Sequence, residues 1–270
     1  MTALSFHHLM MINAHPLQLI EAAACGGFSH CGIRLVAPRV GDPLVDVLSE
    51  AGAIGAIRRK LSDSGVKLLD IEAIWLSPGT DVRSLLPALE AAAELGGRFV
   101  LVVGNDENEE RLRVNLAALC ALAEPLGLKI MLEFITYCSV NSLGGAAATV
   151  NAVGAGNLGL LIDALQFFRS GATSRDVAPY DPSLFSYVQI CDGRSEAPQT
   201  IDERRREARE DRLLPGEGQL PVKELLAALP AHIPISLEAP TARLRGLDFR
   251  EQGRIAGKVL RSFLSEIEIV

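Results

Sequence analysis

Residues 128–164 of this 270-residue chain read LKIMLEFITYCSVNSLGGAAATVNAVGAGNLGLLIDA. An apolar run (128–135) is followed by a polar turn, a small-residue segment with helical spacing and a second apolar run (158–164). Short apolar runs bounded by turn residues indicate buried strands, and a helix between two of them is typical of a parallel βαβ unit. The segment therefore predicts two parallel strands joined by a helix.

The same alternation extends along the whole chain. Eight apolar runs alternate with helical segments, at residues 4–11, 30–37, 66–75, 98–104, 128–135, 158–164, 185–192 and 233–239. Each unit then has about 34 residues, close to what a βαβ repeat needs. Neither a GxGxxG nor a GxxxxGK[ST] motif occurs, so nothing favours a doubly wound nucleotide-binding sheet. We therefore predict an α/β fold, a single (β/α)8 TIM barrel domain over residues 1–270.

The composition narrows the classes of function. The chain is 49% hydrophobic and 22% charged, with 26 Lys and Arg against 33 Asp and Glu and a net charge of −7. This balance disfavours nucleic acid and anionic membranes as partners. No apolar stretch reaches the roughly 18 residues that a membrane span needs. Five cysteines without CxxC spacing, and a start that does not read as a signal peptide, predict a reducing cytoplasm as the location.

Polar side chains end four consecutive predicted strands. In a (β/α)8 barrel the catalytic residues lie at the carboxyl ends of the strands. The fifth, sixth and eighth runs end near Glu133, Asp163 and Glu238, and the seventh run carries Gln189. We expect these four side chains to meet at one end of the barrel.

Three carboxylates in one pocket repel each other unless a positive group lies among them. A divalent cation meets that need, and an all-oxygen set of carboxylates and one amide suits Mn²⁺ or Mg²⁺ better than zinc or copper. Three carboxylates and one such ion leave room for a neutral, oxygen-rich ligand such as a sugar. The residues thus predict a metal site that binds a small polyhydroxy compound.

At these positions the chain resembles the xylose isomerase-like barrel superfamily of sugar isomerases, epimerases and related dehydratases. The matching pieces are LEFITYCSVNSLGGAAATV, LGLLIDALQFFRSG, YVQICDGR, LLPGEGQLP and ISLEAP. The resemblance implies that Glu133, Asp163, Gln189 and Glu238 hold one divalent metal ion. It also implies a small carbohydrate or polyhydroxy keto compound as substrate, and pairing of barrels in a homo-oligomer.

Two positions depart from the pattern of the superfamily. The ligand on the seventh strand is usually His and is Gln189 here, and a His that often follows the strand-six Asp by three residues is replaced by Gln166. An amide oxygen is a weaker and harder donor than imidazole, so we expect zinc to be disfavoured and the metal to be held more loosely.

For isomerase and epimerase members, the resemblance implies proton transfer next to a carbonyl through a metal-stabilised enediolate. Such a step needs a Lewis acid and a base on the correct face of the substrate. Glu133 and Glu238 are the predicted catalytic pair, one removing the proton and the other returning it. We therefore predict a divalent-metal-dependent isomerase or epimerase of a ketose or keto-polyol.

Other readings of the same residues stay open. Gln189 on the seventh strand also resembles the 3-dehydroshikimate dehydratase branch, which would use the metal to support loss of water. A barrel that has lost catalysis with the replacement of His by Gln is another alternative. Apurinic-site endonuclease chemistry needs a His-rich multinuclear zinc site and a basic surface, and the sequence offers neither.

Five further residues are predicted to contact substrate. Of the neighbours His7 and His8, only one can face the barrel interior, because successive side chains of a strand point to opposite faces. Aromatic stacking on a sugar face and hydrogen bonding to an anion or hydroxyl are the roles expected of such residues. The predicted substrate contacts are His7, Arg34, Trp75, Gln166 and Arg194.

Residues 193–220 form the longest and most charged connection of the chain. Connections of this length in a compact barrel are usually lids, binding loops or mobile surface. Its part IDERRREARED has interleaved opposite charges, which predicts a solvated helix. One of the arginines in this long charged loop is an alternative candidate for substrate contact.

Overall fold

The computed structural model describes residues 2–267 and contains a closed barrel of parallel strands in the order in which they occur along the chain. The barrel closes where the first strand pairs with the last. The predicted (β/α)8 fold is therefore confirmed. The strands are β1 (Leu4–Phe6), β2 (His30–Arg34), β3 (Lys67–Leu76), β4 (Phe99–Gly104), β5 (Lys129–Glu133), β6 (Leu158–Asp163), β7 (Phe185–Ile190) and β8 (Ile235–Leu237).

Helices surround the barrel and connect successive strands. Most end where the sequence offers glycine, and Gly65, Gly127 and Gly154 follow helical segments in the left-handed conformation that glycine adopts without steric cost. The helices are α1 (Pro16–Cys25), α2 (Ala53–Ser64), α3 (Leu86–Glu94), α4 (Glu109–Ala123), α5 (Leu143–Val153), α6 (Ala164–Arg169), α7 (Ile201–Glu210), α8 (Val222–Ala228) and α9 (Phe249–Ser265).

The strands read as continuous apolar runs because both of their faces are buried. Every residue of β4 is buried, for example. One face packs against the helices in a large apolar layer, and the other fills the barrel with side chains that include Leu101, Met131 and Tyr187. The barrel is thus a packed core, and a ligand can bind only at its ends.

One predicted strand is shorter than expected. The first predicted strand, 4–11, ends at Phe6, and His8–Met11 forms a 3-10 helix because the backbone N–H of His8 donates to Glu72 Oε1 at 2.6 Å. Within the charged connection 193–220, the helix predicted for IDERRREARED is confirmed as α7.

The charged connection is anchored to the barrel within α7 and beyond the C-terminal end of this helix. In the middle of the helix the buried carboxylate of Glu207 accepts from Arg169 of α6, with Nε to Oε2 at 2.9 Å. Beyond it, the backbone N–H groups of Gly216 and Gly218 donate to Asp192 Oδ2 at 3.0 Å each. These bonds hold α7 across the carboxyl ends of the strands, where the candidate site lies.

Within residues 2–267, none of the helices combines the length and apolar character that crossing a lipid bilayer requires.

Candidate functional site

The four predicted metal ligands lie at the carboxyl end of the barrel. Glu133 and Asp163 are the last residues of β5 and β6, and Glu238 follows β8 directly. Gln189 of β7 lies beside Asp163 in the sheet register. All four are buried, with exposed fractions between 0% and 5%. The strand positions predicted for them are those that the structure shows.

A guanidinium group lies among these carboxylates. Arg212, which follows α7, is 3% exposed and places Nη1 2.6 Å from Asp163 Oδ2 and Nη2 3.3 Å from Glu238 Oε1. Its Nη1 also donates to the carbonyl oxygen of Glu238 at 3.0 Å, and its Nε donates to that of Ala208 at 2.7 Å. Part of the positive charge expected from a metal ion is therefore supplied here by an arginine that the sequence analysis did not single out.

The donor chemistry of the four residues fits a hard divalent cation. Both amide atoms of Gln189 and Oε2 of Glu238 are buried without a hydrogen-bond partner, and buried oxygen atoms of this kind call for a cation or water. Two of the four residues, Asp163 and Glu238, are at the same time bonded to Arg212. In the part of the chain that the structure describes, no group of three or more His, Cys, Asp or Glu side chains is arranged as ligands of one ion.

Burial shifts the pKa values of several carboxyl groups in the site. Burial raises the pKa of Glu133 well above its usual range, and the nearby carboxylates of Glu238 and Asp163 add to this shift. Burial also raises the pKa of Glu238 to about 8, against the opposing effect of Arg212. The pKa of Glu72 is raised in the same way, first by burial. Burial thus favours the protonated form of these groups, and positive charge beside them, such as that of Arg212, favours the ionised form.

Of the two neighbouring histidines, His7 lines the site and His8 is structural. Burial, with Arg34 and Arg212 nearby, lowers the pKa of His7 well below its usual value, so its imidazole is neutral. Because Nδ1 of His7 accepts from the backbone N–H of Leu9, its proton lies on Nε2, which is 3.1 Å from Glu72 Oε1. His8 is bonded through both ring nitrogens, to the N–H of Arg34 and the carbonyl of Ala14.

A cavity of about 600 Å³, including its open mouth, leads from the surface to Glu133 and Glu238. His7, Arg34, Trp75 and Gln166 line it as well, whereas Asp163 and Gln189 are fully buried and do not. Four of the five predicted substrate contacts thus lie on one cavity.

Gln166 has a clear structural partner at the edge of this cavity. Its Oε1 accepts from the backbone N–H and the hydroxyl of Thr136, at 3.1 and 3.2 Å. Its own backbone N–H donates to Asp163 Oδ1 at 2.9 Å, which caps α6. The side chain therefore links the segments that follow β5 and β6.

Arg194 lies elsewhere, and its prediction as a substrate contact is corrected. Its side chain is 62% exposed and its Nη1 is 3.1 Å from Asp211 Oδ2, away from the residues that line the cavity. The physical reason is the anchoring of α7, which brings other arginines of the charged connection to the cavity.

Those other arginines share one face of the segment around α7. Arg205, Arg209 and Arg212 line the cavity and follow each other at intervals of four and three residues. Side chains at this spacing lie on the same side of a helix. The signal was present in the sequence, but the many charges of IDERRREARED masked it, because which side of a solvated helix faces the barrel depends on its anchors.

A parallel eight-stranded barrel with buried carboxylates at the carboxyl ends of β5, β6 and β8 defines the class of protein as a TIM barrel with an acidic polar site. The family model for the xylose isomerase-like TIM barrel matches residues 29–264, and the chain belongs to this family.

Several curated proteins are similar to this chain in sequence, and several solved structures are similar to it in fold. The inosose isomerase of Halalkalibacterium halodurans is 28% identical over 151 residues, which cover 52% of this chain and 51% of that protein. The chain thus spans about half the length of the curated relatives it matches.

Among solved structures, the IolI protein with a binding zinc atom has a TM-score of 0.80 at 22% identity and 99% coverage of both chains. A D-allulose 3-epimerase from Methylomonas sp. in complex with D-allulose has a TM-score of 0.73 at 17% identity, covering 98% of this chain and 96% of the other. At these identities the likeness shows the fold alone.

Proposed function

We propose that this protein is a sugar isomerase or epimerase that moves a proton at the carbon next to a carbonyl group of a polyhydroxy ketone. The observation that carries the proposal is the placement of Glu133 and Glu238, which reach one cavity from non-adjacent strands of the barrel. Two carboxyl groups on different sides of a bound substrate suit removal of a proton from one face and return to the other. The inosose isomerases and the allulose epimerase among the similar proteins support the same reaction class.

The chain's own groups account for the proton path. One carboxylate takes the proton from the α-carbon, and the electron pair left on carbon shifts toward the carbonyl oxygen. The other carboxyl group then gives its proton to a carbon of the resulting enediolate, so one proton is removed and one returned, and no oxidant or reductant is consumed. Arg212, between Asp163 and Glu238, is placed to stabilise negative charge that develops nearby.

A divalent ion is part of the proposal. Glu133, Asp163, Gln189 and Glu238 would hold it, with Mn²⁺ or Mg²⁺ favoured by their oxygen donors. Such an ion polarises carbonyl and hydroxyl oxygens as a Lewis acid. The IolI structure with its zinc atom supports a divalent metal in general rather than a particular one. The five cysteines, all free, support a reducing compartment such as the cytoplasm.

Replacement of either carboxylate tests the proposal. We expect Glu133→Gln and Glu238→Gln each to lower turnover of an accepted ketose or inosose at least about 1,000-fold, because glutamine cannot accept the proton. Turnover is measured by product formation and by deuterium uptake from D₂O at the α-carbon.

Glu110→Gln is the matched control, since Glu110 is an exposed residue of α4 outside the cavity. Its turnover should equal that of the unchanged protein. Full activity of Glu133→Gln or Glu238→Gln would refute the assignment of the catalytic pair.

A dehydratase of the 3-dehydroshikimate type is the second candidate. Gln189 favours it, because this residue stands where the superfamily pattern has His and where the resemblance to that branch lies. Elimination of water from a β-hydroxy ketone gives a conjugated product that absorbs in the ultraviolet. The mass of this product is lower than that of the substrate by one water, about 18 mass units. Isomerisation leaves the mass unchanged, so mass spectrometry of the product separates the two candidates.

A further inference from the structure

The cavity is lined by more guanidinium groups than the proposed proton transfer uses. Five arginines line it, namely Arg34, Arg39, Arg205, Arg209 and Arg212. Arg212 is bonded to the carboxylates of Asp163 and Glu238 deep in the site. Of the other four, Arg39, Arg205 and Arg209 are partly exposed and Arg34 is buried. The lining thus has five guanidinium groups and four carboxyl groups, whereas acidic residues outnumber basic ones in the chain as a whole.

The carboxylates at the mouth do not neutralise these four arginines. Among the lining residues, Asp42 and Glu72 are the acidic groups that form ion pairs with these four arginines. Asp42 forms ion pairs with two arginines, with its Oδ2 3.2 Å from Arg39 Nε and its Oδ1 2.8 Å from Arg209 Nη2. Four guanidinium groups thus face two carboxylates.

Arg205 has only a weak partner. Its Nη1 is 3.5 Å from Asp202 Oδ1, and the Asp202 side chain is 94% exposed. Ion pairs this exposed are screened by water and salt and contribute little. The charge of Arg205 is therefore available to a bound ligand.

Among the four arginines, Arg34 gives the strongest indication that a ligand binds. It is 6% exposed, and its Nε is buried without a hydrogen-bond partner. Its closest carboxylate contact is Nη2 to Glu72 Oε2 at 3.7 Å, which is longer than a hydrogen bond. Nη1 of Arg34 donates to the carbonyl oxygen of Pro43 at 3.5 Å, so Nε is the donor that lacks an acceptor. A buried donor without an acceptor costs free energy, and an acceptor on a bound ligand would recover it.

Aromatic side chains hold two of the guanidinium groups in place. Arg39 lies over the ring of Trp75 at 5.2 Å, and Arg205 lies over the ring of Tyr137 at 5.7 Å. Both rings line the same cavity. Because cation–π contact restricts where the charge can lie, these arginines are pre-organised at the opening.

We propose that the substrate carries an anionic group, a carboxylate or a phosphate, that binds to Arg34, Arg39 and Arg205 at the mouth of the cavity. Planar guanidinium groups bind both anions through paired hydrogen bonds. This inference rests on the proposed function, and it replaces the neutral sugar expected from the sequence with a polyhydroxy keto acid or a ketose phosphate. The anionic end lies at the arginines, and the carbonyl end lies at Glu133 and Glu238.

Binding can be measured apart from turnover, because Trp75 is the one tryptophan of the sequence and lines the cavity. Its fluorescence is titrated with fructose, fructose 6-phosphate, 5-ketogluconate and inorganic phosphate. We expect at least one of the two substituted sugars to bind about tenfold or more tightly than fructose, with an affinity that falls as ionic strength rises. Tighter binding of fructose 6-phosphate, together with binding of inorganic phosphate, would identify a phosphate as the recognised group. Tighter binding of 5-ketogluconate would identify a carboxylate.

Three variants locate the binding group. Arg34→Met and Arg205→Met should each weaken binding of the preferred anion about tenfold or more, and weaken fructose binding much less. Arg205 is 45% exposed, so Arg205→Met keeps the test valid if loss of the buried Arg34 disturbs folding. Arg206→Met is the matched control, since Arg206 is an exposed residue of the same helix outside the cavity, and it should bind all four probes as the unchanged protein does.

Two results would overturn the inference. One is equal affinity of the unchanged protein for fructose and for both anionic sugars. The other is undiminished anion binding in both Arg34→Met and Arg205→Met. Failure of the proposed function looks different, because Glu133→Gln and Glu238→Gln would then retain turnover while the arginine variants still lose affinity for the anion.

Discussion

Arg212 shows how one residue changes the interpretation of a site. Three buried carboxylates require a positive neighbour, and that requirement follows from Coulomb repulsion alone. The identity of the neighbour does not follow from it, since a metal ion and a guanidinium group both satisfy the charge. Here Arg212 bonds to Asp163 and Glu238, while the amide of Gln189 and Oε2 of Glu238 keep no partner. The residue and a metal ion therefore offer charge to overlapping sets of oxygen atoms.

Replacing Arg212 tests this role. Arg212→Met leaves Asp163 and Glu238 buried without their cation, so we expect the free energy of unfolding in the absence of divalent ions to fall by about 3 kcal/mol. Urea denaturation followed by circular dichroism measures the change. Mn²⁺ should raise the Tm of the variant more than that of the unchanged protein, because the ion then supplies the missing charge.

Arg212→Lys is the control that keeps the positive charge but not the planar guanidinium group. Its free energy of unfolding should lie between those of Arg212→Met and the unchanged protein. An unchanged urea midpoint in Arg212→Met would show that the guanidinium does not stabilise the carboxylates.

At the scale of the element, α7 decides which charges face the site. The helix has its Thr200 capping box and acidic first turn, so its formation is encoded locally. Its orientation is fixed from outside, by the buried pair between Glu207 and Arg169. With Glu207 turned toward α6, Arg205 and Arg209 lie along the cavity.

Breaking this anchor should loosen the helix without unfolding the barrel. Glu207→Gln removes one partner of a buried ion pair, so we expect amide hydrogen exchange over residues 201–210 to become about tenfold faster or more. Exchange in β4 and β5 should not change. Hydrogen–deuterium exchange with mass spectrometry resolves the two regions.

Asp202→Asn is the comparison for this variant, because it alters an exposed carboxylate of the same helix and should change exchange much less. Equal protection of α7 in Glu207→Gln and the unchanged protein would mean that other contacts anchor the helix.

At the scale of the whole molecule, a close contact between the first and last helices accompanies the closure of the barrel. Gly253 and Gly257 of α9 pack against the backbone of α1 and the turn after it, and a Cβ atom at Gly257 would collide with the carbonyl of Gly26. This contact brings α9 beside α1 and so accompanies the pairing of β8 with β1. Glycine is needed here for its lack of a side chain.

Gly257→Ala tests the contact. We expect a loss of about 1–3 kcal/mol in the free energy of unfolding, since backbone must move to accommodate the methyl group. Gly55→Ala in α2 is the matched control, because a Cβ there meets only the flexible end of Arg59, and it should stabilise the protein by up to about 1 kcal/mol. The same urea midpoint for Gly257→Ala and the unchanged protein would contradict the contact.

The sequence by itself determined the eight strands, their parallel order and the strand ends that carry Glu133, Asp163, Gln189 and Glu238. These features follow from local patterns, because strands buried on both faces must be apolar and their polar ends stand out. The exception was the first strand, which ends early where the backbone N–H of His8 donates to Glu72.

Only the tertiary structure decided which arginines lie among and over the carboxylates at those strand ends. Arg212 is 49 residues from Asp163 and 26 from Glu238 in the sequence, and no periodicity connects them. The arginines of the cavity likewise come from distant parts of the chain, namely the end of β2, the segment after it, and α7. Side chains brought together by closure of a barrel have partners distant in sequence, so their pairing depends on packing rather than on any local pattern.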